Sequence, residues 1–208
     1  MMTPLPEKSM IRAVLFDWGG VLIENPVSGL RAYIAQALDR PEEDLHAVFQ
    51  DYFQPFQKGL ISEPDLWRDV SRRLNVPVPT RKSLYREAVE QASRARPEVF
   101  HLAEILHQKG YKVGLLSNTE APAMEYFLAQ GHTCFDAMVF SCAEHCAKPE
   151  PDIYHIACRR LGVQPPDVVF IDDRPDYIQG AVAVGLRTIL YDDFEQIVRE
   201  LRAFGVQW

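Results

Sequence analysis

The sequence predicts an α/β protein, a parallel sheet covered by helices on both faces, with a small helical segment inserted after the first strand. Three observations predict it. From residue 97 onward, short apolar runs alternate with amphipathic helical stretches. One more apolar run of the same kind, IRAVLF, occupies residues 11–16. Between the two, residues 25–95 carry helical periodicity and no convincing strand.

Each element has its own signal. In VFHLAEILHQKG, Val99, Leu102, Ile105 and Leu106 recur at helical spacing and the pattern stops at Gly110. YKVGLL follows as a strand, and APAMEYFLAQG as a helix that again ends in glycine. AMVF is a strand, and PEPDIYHIACRRLG places Ile153, Ile156, Ala157 and Leu161 on one helix face. DVVFI is apolar enough for a strand with both faces covered. RPDYIQGAVAVG is a helix opening with Pro175, and LRTIL is the last strand. In the insert, residues 29–38, 44–56, 62–74 and 81–93 give four helices, the third started by Ser62 with Asp65 three residues on. The expected architecture is a Rossmann-like, three-layer parallel sheet core (10–24 and 96–208) with an inserted small helical cap domain (25–95).

Composition narrows the function. The 208 residues carry 29 acidic against 22 basic side chains, a net charge of −7, which disfavours a nucleic-acid surface. No apolar run is long enough to span a membrane, and the start, MMTPLPEKSM, lacks a signal core and reads as a disordered tail. A cytoplasmic location with reduced thiols at Cys134, Cys142, Cys146 and Cys158 is therefore expected. Cys142, His145 and Cys146 lack the second pair that a zinc centre needs.

The polar residues fall where such sheets bind ligands, at the carboxyl ends of the strands. IRAVLF ends at Asp17, YKVGLL at Ser117-Asn118, AMVF at Ser141 with Lys148 in the loop beyond, and DVVFI at Asp172-Asp173. Three converging carboxylates raise one another's pKa unless a cation sits among them, and hard oxygen ligands suit Mg²⁺. A carboxylate can attack phosphorus to give an aspartyl-phosphate, while Lys148 offsets charge on the transferring group and Ser117 donates to it. Gly19 and Gly20 let the backbone turn and present its own polar groups.

FDWGGVL, LLSNT, KPEPDIY and FIDDRPDYIQGA resemble, in order, the four motifs of the haloacid dehalogenase superfamily, and the insert is placed like that superfamily's helical cap. The resemblance spans residues from about 11 to 191. It implies Asp17 as nucleophile, metal ligation by Asp17, the Gly19 carbonyl and Asp173, and a metal-bound water on Asp172. It further implies phosphoryl binding by Ser117 and Lys148, with Asn118 orienting substrate or cap loop. Trp18 and Gly20 complete the expected substrate contacts, although Trp18 has equal claim to a packing role. Residues near Asn25-Pro26 and Arg96-Pro97 are the expected hinges of a closing cap.

Gly19 departs from the pattern, because phosphatases of this superfamily usually hold a second aspartate there as acid and base. The chain is similar to a subgroup with an Asp-x-Gly first motif, which includes a sugar-phosphate phosphatase and is close to the phosphatase-like domain of some epoxide hydrolases. The expected activity is Mg²⁺-dependent hydrolysis of a small phosphorylated metabolite by a monomer or small homo-oligomer. A metal-independent dehalogenase and a weakly active or inactive binding or regulatory protein are the alternatives. Asp176 is expected to be a first-turn acid without chemistry, His132 and His145 to be loop residues, and Ser117, Asn118 or Thr119 to cap the next helix.

Overall fold

In a computed structural model, which describes residues 10–208, five parallel strands form one sheet. They are β1 (Ala13–Phe16), β2 (Lys112–Ser117), β3 (Ala137–Phe140), β4 (Val168–Asp172) and β5 (Arg187–Leu190), in the order β3-β2-β1-β4-β5. β1 is central and pairs with both β2 and β4. The chain builds outward on one side of it, then returns to build on the other, so a crevice opens at the carboxyl end of β1.

Alternating side chains of the strands feed two cores. Val14 and Phe16 of β1 join Val113, Leu115, Val169 and Ile171 on one face, beneath α6 (Pro97–Gln108), α7 (Ala121–Ala129) and α11 (Phe194–Ala203). Ala13 and Leu15 face the other way with Leu116, Val139 and Phe170, beneath α9 (Pro151–Leu161) and α10 (Pro175–Ala183). The strands are apolar on both faces because both faces are covered. Leu15 and Leu161 crowd Gly114, where any side chain would displace them.

The segment between β1 and α6 holds five helices: α1 (Val27–Leu38), α2 (Glu42–Phe49), α3 (Phe53–Gln57), α4 (Glu63–Leu74) and α5 (Leu84–Ala92). One helix was expected over residues 44–56, and the structure divides it. Pro55 has no N–H for the carbonyl of Asp51 and its ring would strike that carbonyl, so the chain turns at Gln50–Tyr52 and restarts. The expected start at Ser62 is present, its hydroxyl accepting from the Asp65 N–H at 3.2 Å. α11 lies beyond the last element expected from sequence; its own signal is Asp193, whose carboxylate caps it through the Gln196 N–H at 2.7 Å. α8 (Ser141–Glu144) is a single turn at the end of β3. Of the tail expected over residues 1–10, residues 1–9 lie outside the described part.

The two chain crossings between insert and sheet run side by side. Glu24 N–H donates to the Arg94 carbonyl at 2.8 Å and Arg96 N–H to that of Leu22 at 2.9 Å. The Arg96 guanidinium reaches back to the carbonyls of Gly20 and Ile23 at 2.6 and 2.8 Å, fixing the turn that follows Asp17.

Within the insert, one carboxylate ties α4 to α5. Glu63 accepts from Trp67 Nε1 (2.7 Å), the Ser83 hydroxyl (2.6 Å) and the Tyr85 N–H (2.9 Å). Glu63→Ala leaves all three donors without their acceptor, with an expected loss of about 2 kcal/mol in a urea unfolding series.

Candidate active site

Asp17 directly follows β1, and its N–H donates to the Ile171 carbonyl of β4 at 2.9 Å. That bond carries the strand ladder one residue further and holds Asp17 at the crevice. Asp172 ends β4 and Asp173 follows it; one ligand oxygen from each of the three carboxylates lies within 4.8 Å of the others. Asp17 is buried, Asp172 has no exposed surface and Asp173 is half-buried.

Lys148 is buried among them. Its ammonium contacts Asp17 Oδ1 at 2.8 Å and Asp172 Oδ2 at 2.6 Å, and donates to the Leu116 carbonyl at 3.1 Å. All three N–H bonds are thereby committed. Burial works against the charged lysine, but the two carboxylates outweigh it and its pKa is raised. Burial pushes the Asp17 carboxyl up to about 7, with Lys148 pulling down and Asp172 pushing up. Asp173 is raised by burial and by Asp172. One ammonium thus leaves three carboxylates under-neutralised.

A small divalent cation fits that donor set. Carboxylate oxygens this close, two of them buried and the group carrying surplus negative charge, match the hard-oxygen shell that Mg²⁺ takes at about 2.0–2.1 Å. The backbone makes room for the third acid: Gly20 has φ +96°, and a Cβ there would sit 2.2 Å from Asp173 Oδ2. No side chain can occupy that position without moving Asp173.

Asn118 acts on the lysine loop. Its Oδ1 accepts from the Lys148 N–H at 2.8 Å, and its Nδ2 donates to the Lys148 carbonyl at 2.9 Å and to the Tyr177 hydroxyl at 3.0 Å. A side chain that grips both backbone groups of one residue fixes where that residue's ammonium points. None of Ser117, Asn118 and Thr119 caps the following helix; the N-cap of α7 is Glu120, which makes no side-chain cap bond. Ser117 is buried on the wall of the same cleft. Trp18 lines that cleft and packs edge-on to Phe127 with ring centres 5.4 Å apart. Asp176 is a first-turn acid of α10, paired with Arg174 at 2.7 Å. His145 Nδ1 lies 3.0 Å from the Lys58 carbonyl, and His132 stacks on Phe100.

The cleft encloses about 140 Å³, and the insert supplies part of its wall through Pro26, Phe53, Gln57 and Val89. A further residue of its wall, Glu120, carries no local sequence signal. Its carboxyl is buried on the cleft wall, bonded by the Tyr85 hydroxyl and the Gln57 side chain of the insert, and burial pushes its pKa up to about 7. An acid at a helix start reads as a surface residue, and its contacts with the insert, fifty and more residues away in sequence at Gln57 and thirty-five away at Tyr85, are what the local pattern does not show.

A family model described as haloacid dehalogenase-like hydrolase matches residues 11–185. Phosphatase MT3486 of Mycobacterium tuberculosis is 27% identical over 214 residues, covering 94% of this chain and 95% of that protein. Mouse acyl-CoA dehydrogenase family member 10 (29%) and rat bifunctional epoxide hydrolase 2 (26%) align with 92% and 95% of this chain, which spans only 19% and 40% of their lengths. A HAD family enzyme from Bacteroides thetaiotaomicron, crystallised with magnesium and inorganic phosphate, superposes with a TM-score of 0.71 at 23% identity, covering 90% of this chain and 98% of that one.

The raised carboxyls set a pH slope on stability. Glu120 titrates at about 7 when folded against 4.5 as a free side chain, so the folded state holds its proton more tightly. Its contribution is complete below about pH 4.5 and is lost as pH rises through 7. Cation-free protein is expected to lose stability over that interval, and Glu120→Gln to flatten the slope, as read by thermal unfolding at stepped pH.

Proposed function

We propose that this chain, which belongs to the haloacid dehalogenase-like hydrolase family, is a Mg²⁺-dependent phosphatase acting on a small phosphate monoester through Asp17. The observation that carries this reading is the meeting of Asp17, Asp172 and Asp173 around a single buried lysine. The phosphatase name of the Mycobacterium relative and the magnesium and phosphate in the Bacteroides structure support it.

Asp17, Asp173 and the Gly19 carbonyl would hold the ion, with Asp172 behind them. Bound there, Mg²⁺ offsets the carboxylate charge and that of the phosphoryl oxygens. Asp17 attacks phosphorus; the bond to the substrate oxygen breaks and the alcohol departs. Water then cleaves the aspartyl-phosphate, releasing inorganic phosphate and restoring the carboxylate. Lys148 holds Asp17 in line, Asn118 holds Lys148, and Ser117 donates to the phosphoryl group. Residues 25–95 serve as a cap over the 10–24 and 96–208 core, shielding the cleft from water.

Gly19 can give the departing oxygen no proton. Apart from Asp17 and Asp173, already given to phosphorus and the ion, the carboxyl lining the cleft is Glu120, whose pKa burial pushes up to about 7, and we assign it that role.

Two measurements test the reading. Mg²⁺-dependent phosphate release from p-nitrophenyl phosphate is expected, falling about a thousandfold or more in Asp17→Asn; halide release from a 2-haloalkanoate without metal would replace the reading with a dehalogenase. Glu120→Gln is expected to lower turnover of ethyl phosphate, whose ethoxide is a poor leaving group, by about a hundredfold. Its effect on p-nitrophenyl phosphate, whose phenolate departs unaided, is expected to be at least about tenfold smaller; equal losses on both would mean that Glu120 only supports the fold.

A further inference from the structure

The phosphoryl cleft, at about 140 Å³, has room for the phosphate and little else, so the rest of a substrate must occupy adjoining space. Two clefts adjoin it. One, of about 270 Å³, runs past Lys58, Arg174 and Asp176 and is polar. Its cations already have partners: Lys58 pairs with Glu150 at 2.6 Å and Arg174 with Asp176 at 2.7 Å. A polar substrate entering there competes with ion pairs already made.

The other cleft has the opposite character. It encloses about 330 Å³ between α1, α2 and α3, walled by Leu30, Ile34, Leu45, Phe49 and Phe53. Its polar edge holds His46, flanked by Arg31 at 3.4 Å and Gln50 at 3.0 Å, and the Arg31 Nε, which makes no hydrogen bond but lies 3.5 Å from the Glu42 carboxylate. Val27, Leu30 and Phe53 line both this cleft and the phosphoryl cleft, so the two share a wall. Val27 and Phe53 are also among the exposed large apolar side chains, 50% and 42% accessible, and both stand at that boundary. Exposed apolar groups at the junction of a reactive cleft and an apolar one are explained if something apolar passes over them.

We infer that the α1–α2–α3 cleft is a subsite for the hydrocarbon portion of the substrate, so that the preferred substrates are amphiphilic phosphate monoesters with the phosphate at Asp17. The inference rests on the phosphatase reading and gives it a substrate class. A dry apolar cavity of roughly 150 Å³ accommodates a benzene, so this one takes a group of on the order of ten carbons.

The test is a series of ethyl, butyl, octyl and decyl phosphate, whose alcohols depart with equal ease, alongside hexose 6-phosphate as a polar primary ester. The expected result is a kcat/KM that climbs with chain length, by about a hundredfold or more from ethyl to decyl, mainly through KM. In Val27→Glu, which sets a charge on an exposed boundary position, the decyl-to-ethyl ratio is expected to fall about tenfold or more. Leu30→Trp, which narrows the shared wall, is expected to do the same if the first variant disturbs the cap. A flat series, or preference for hexose 6-phosphate over octyl phosphate, overturns the subsite while leaving the phosphatase reading in place. If no ester is hydrolysed, the phosphatase reading fails, and calorimetry of decyl phosphate against inorganic phosphate on Asp17→Asn protein with Mg²⁺ still decides the subsite. Tighter binding of decyl phosphate with a negative heat-capacity change supports it, and equal binding overturns it.

Discussion

A single ammonium shared between two buried carboxylates organises this molecule. Lys148 lies between Asp17 and Asp172 with its three donors spent, deep at the carboxyl edge of the sheet. Taking such charges out of water costs several kcal/mol for each ion after relaxation, and attraction between them repays this only with near-ideal geometry. The surrounding structure supplies that geometry. Asp17 is fixed through the backbone of β4, Lys148 through both of its peptide groups by Asn118, and Asp172 through the Arg174 N–H at 2.9 Å. A hydrophobic trio would hold the sheet together as well, so the arrangement is better understood as readiness for a cation and a phosphoryl group than as a source of stability.

Much of that arrangement was legible in the sequence, because it depends on local patterns and one topological rule. Apolar runs mark the strands, and each polar residue that ends a strand sits on one edge once the strands are parallel. Asp17, Ser117 and Asp172-Asp173 could therefore be placed together from spacing alone, and Lys148 from the loop after β3. The residues that escaped depend on long-range packing. Asn118 was expected at the site, orienting substrate or cap loop, but its partners, thirty and fifty-nine residues away in sequence, were not legible. The turn at Gln50–Tyr52 was hidden by apolar spacing that continues straight through it, although Pro55 carried the signal. Arg96, expected near a hinge, proves to bind the turn after Asp17, tying the far end of the insert to the nucleophile's own loop.

Gly19 and Gly20 show two different uses of the same residue type. Gly20 is required by space, since Asp173 stands where a side chain would be. At Gly19 a Cβ would meet only Pro26 at 3.4 Å, an ordinary contact, so sterics do not forbid a side chain there. What Gly19 lacks is chemical, and the compensation must come from elsewhere in the cleft.

In the proposed reaction Glu120 meets that requirement through its burial. Burial on the cleft wall raises its pKa, the Tyr85 and Gln57 hydrogen bonds from the insert pull the other way, and its backbone belongs to the core. With the insert seated, the carboxyl is desolvated and keeps its proton near neutral pH; exposed to water, the same group would ionise in the usual carboxylate range. In the proposed reaction that burial is what keeps a proton available in the cleft near neutral pH, where Gly19 offers none.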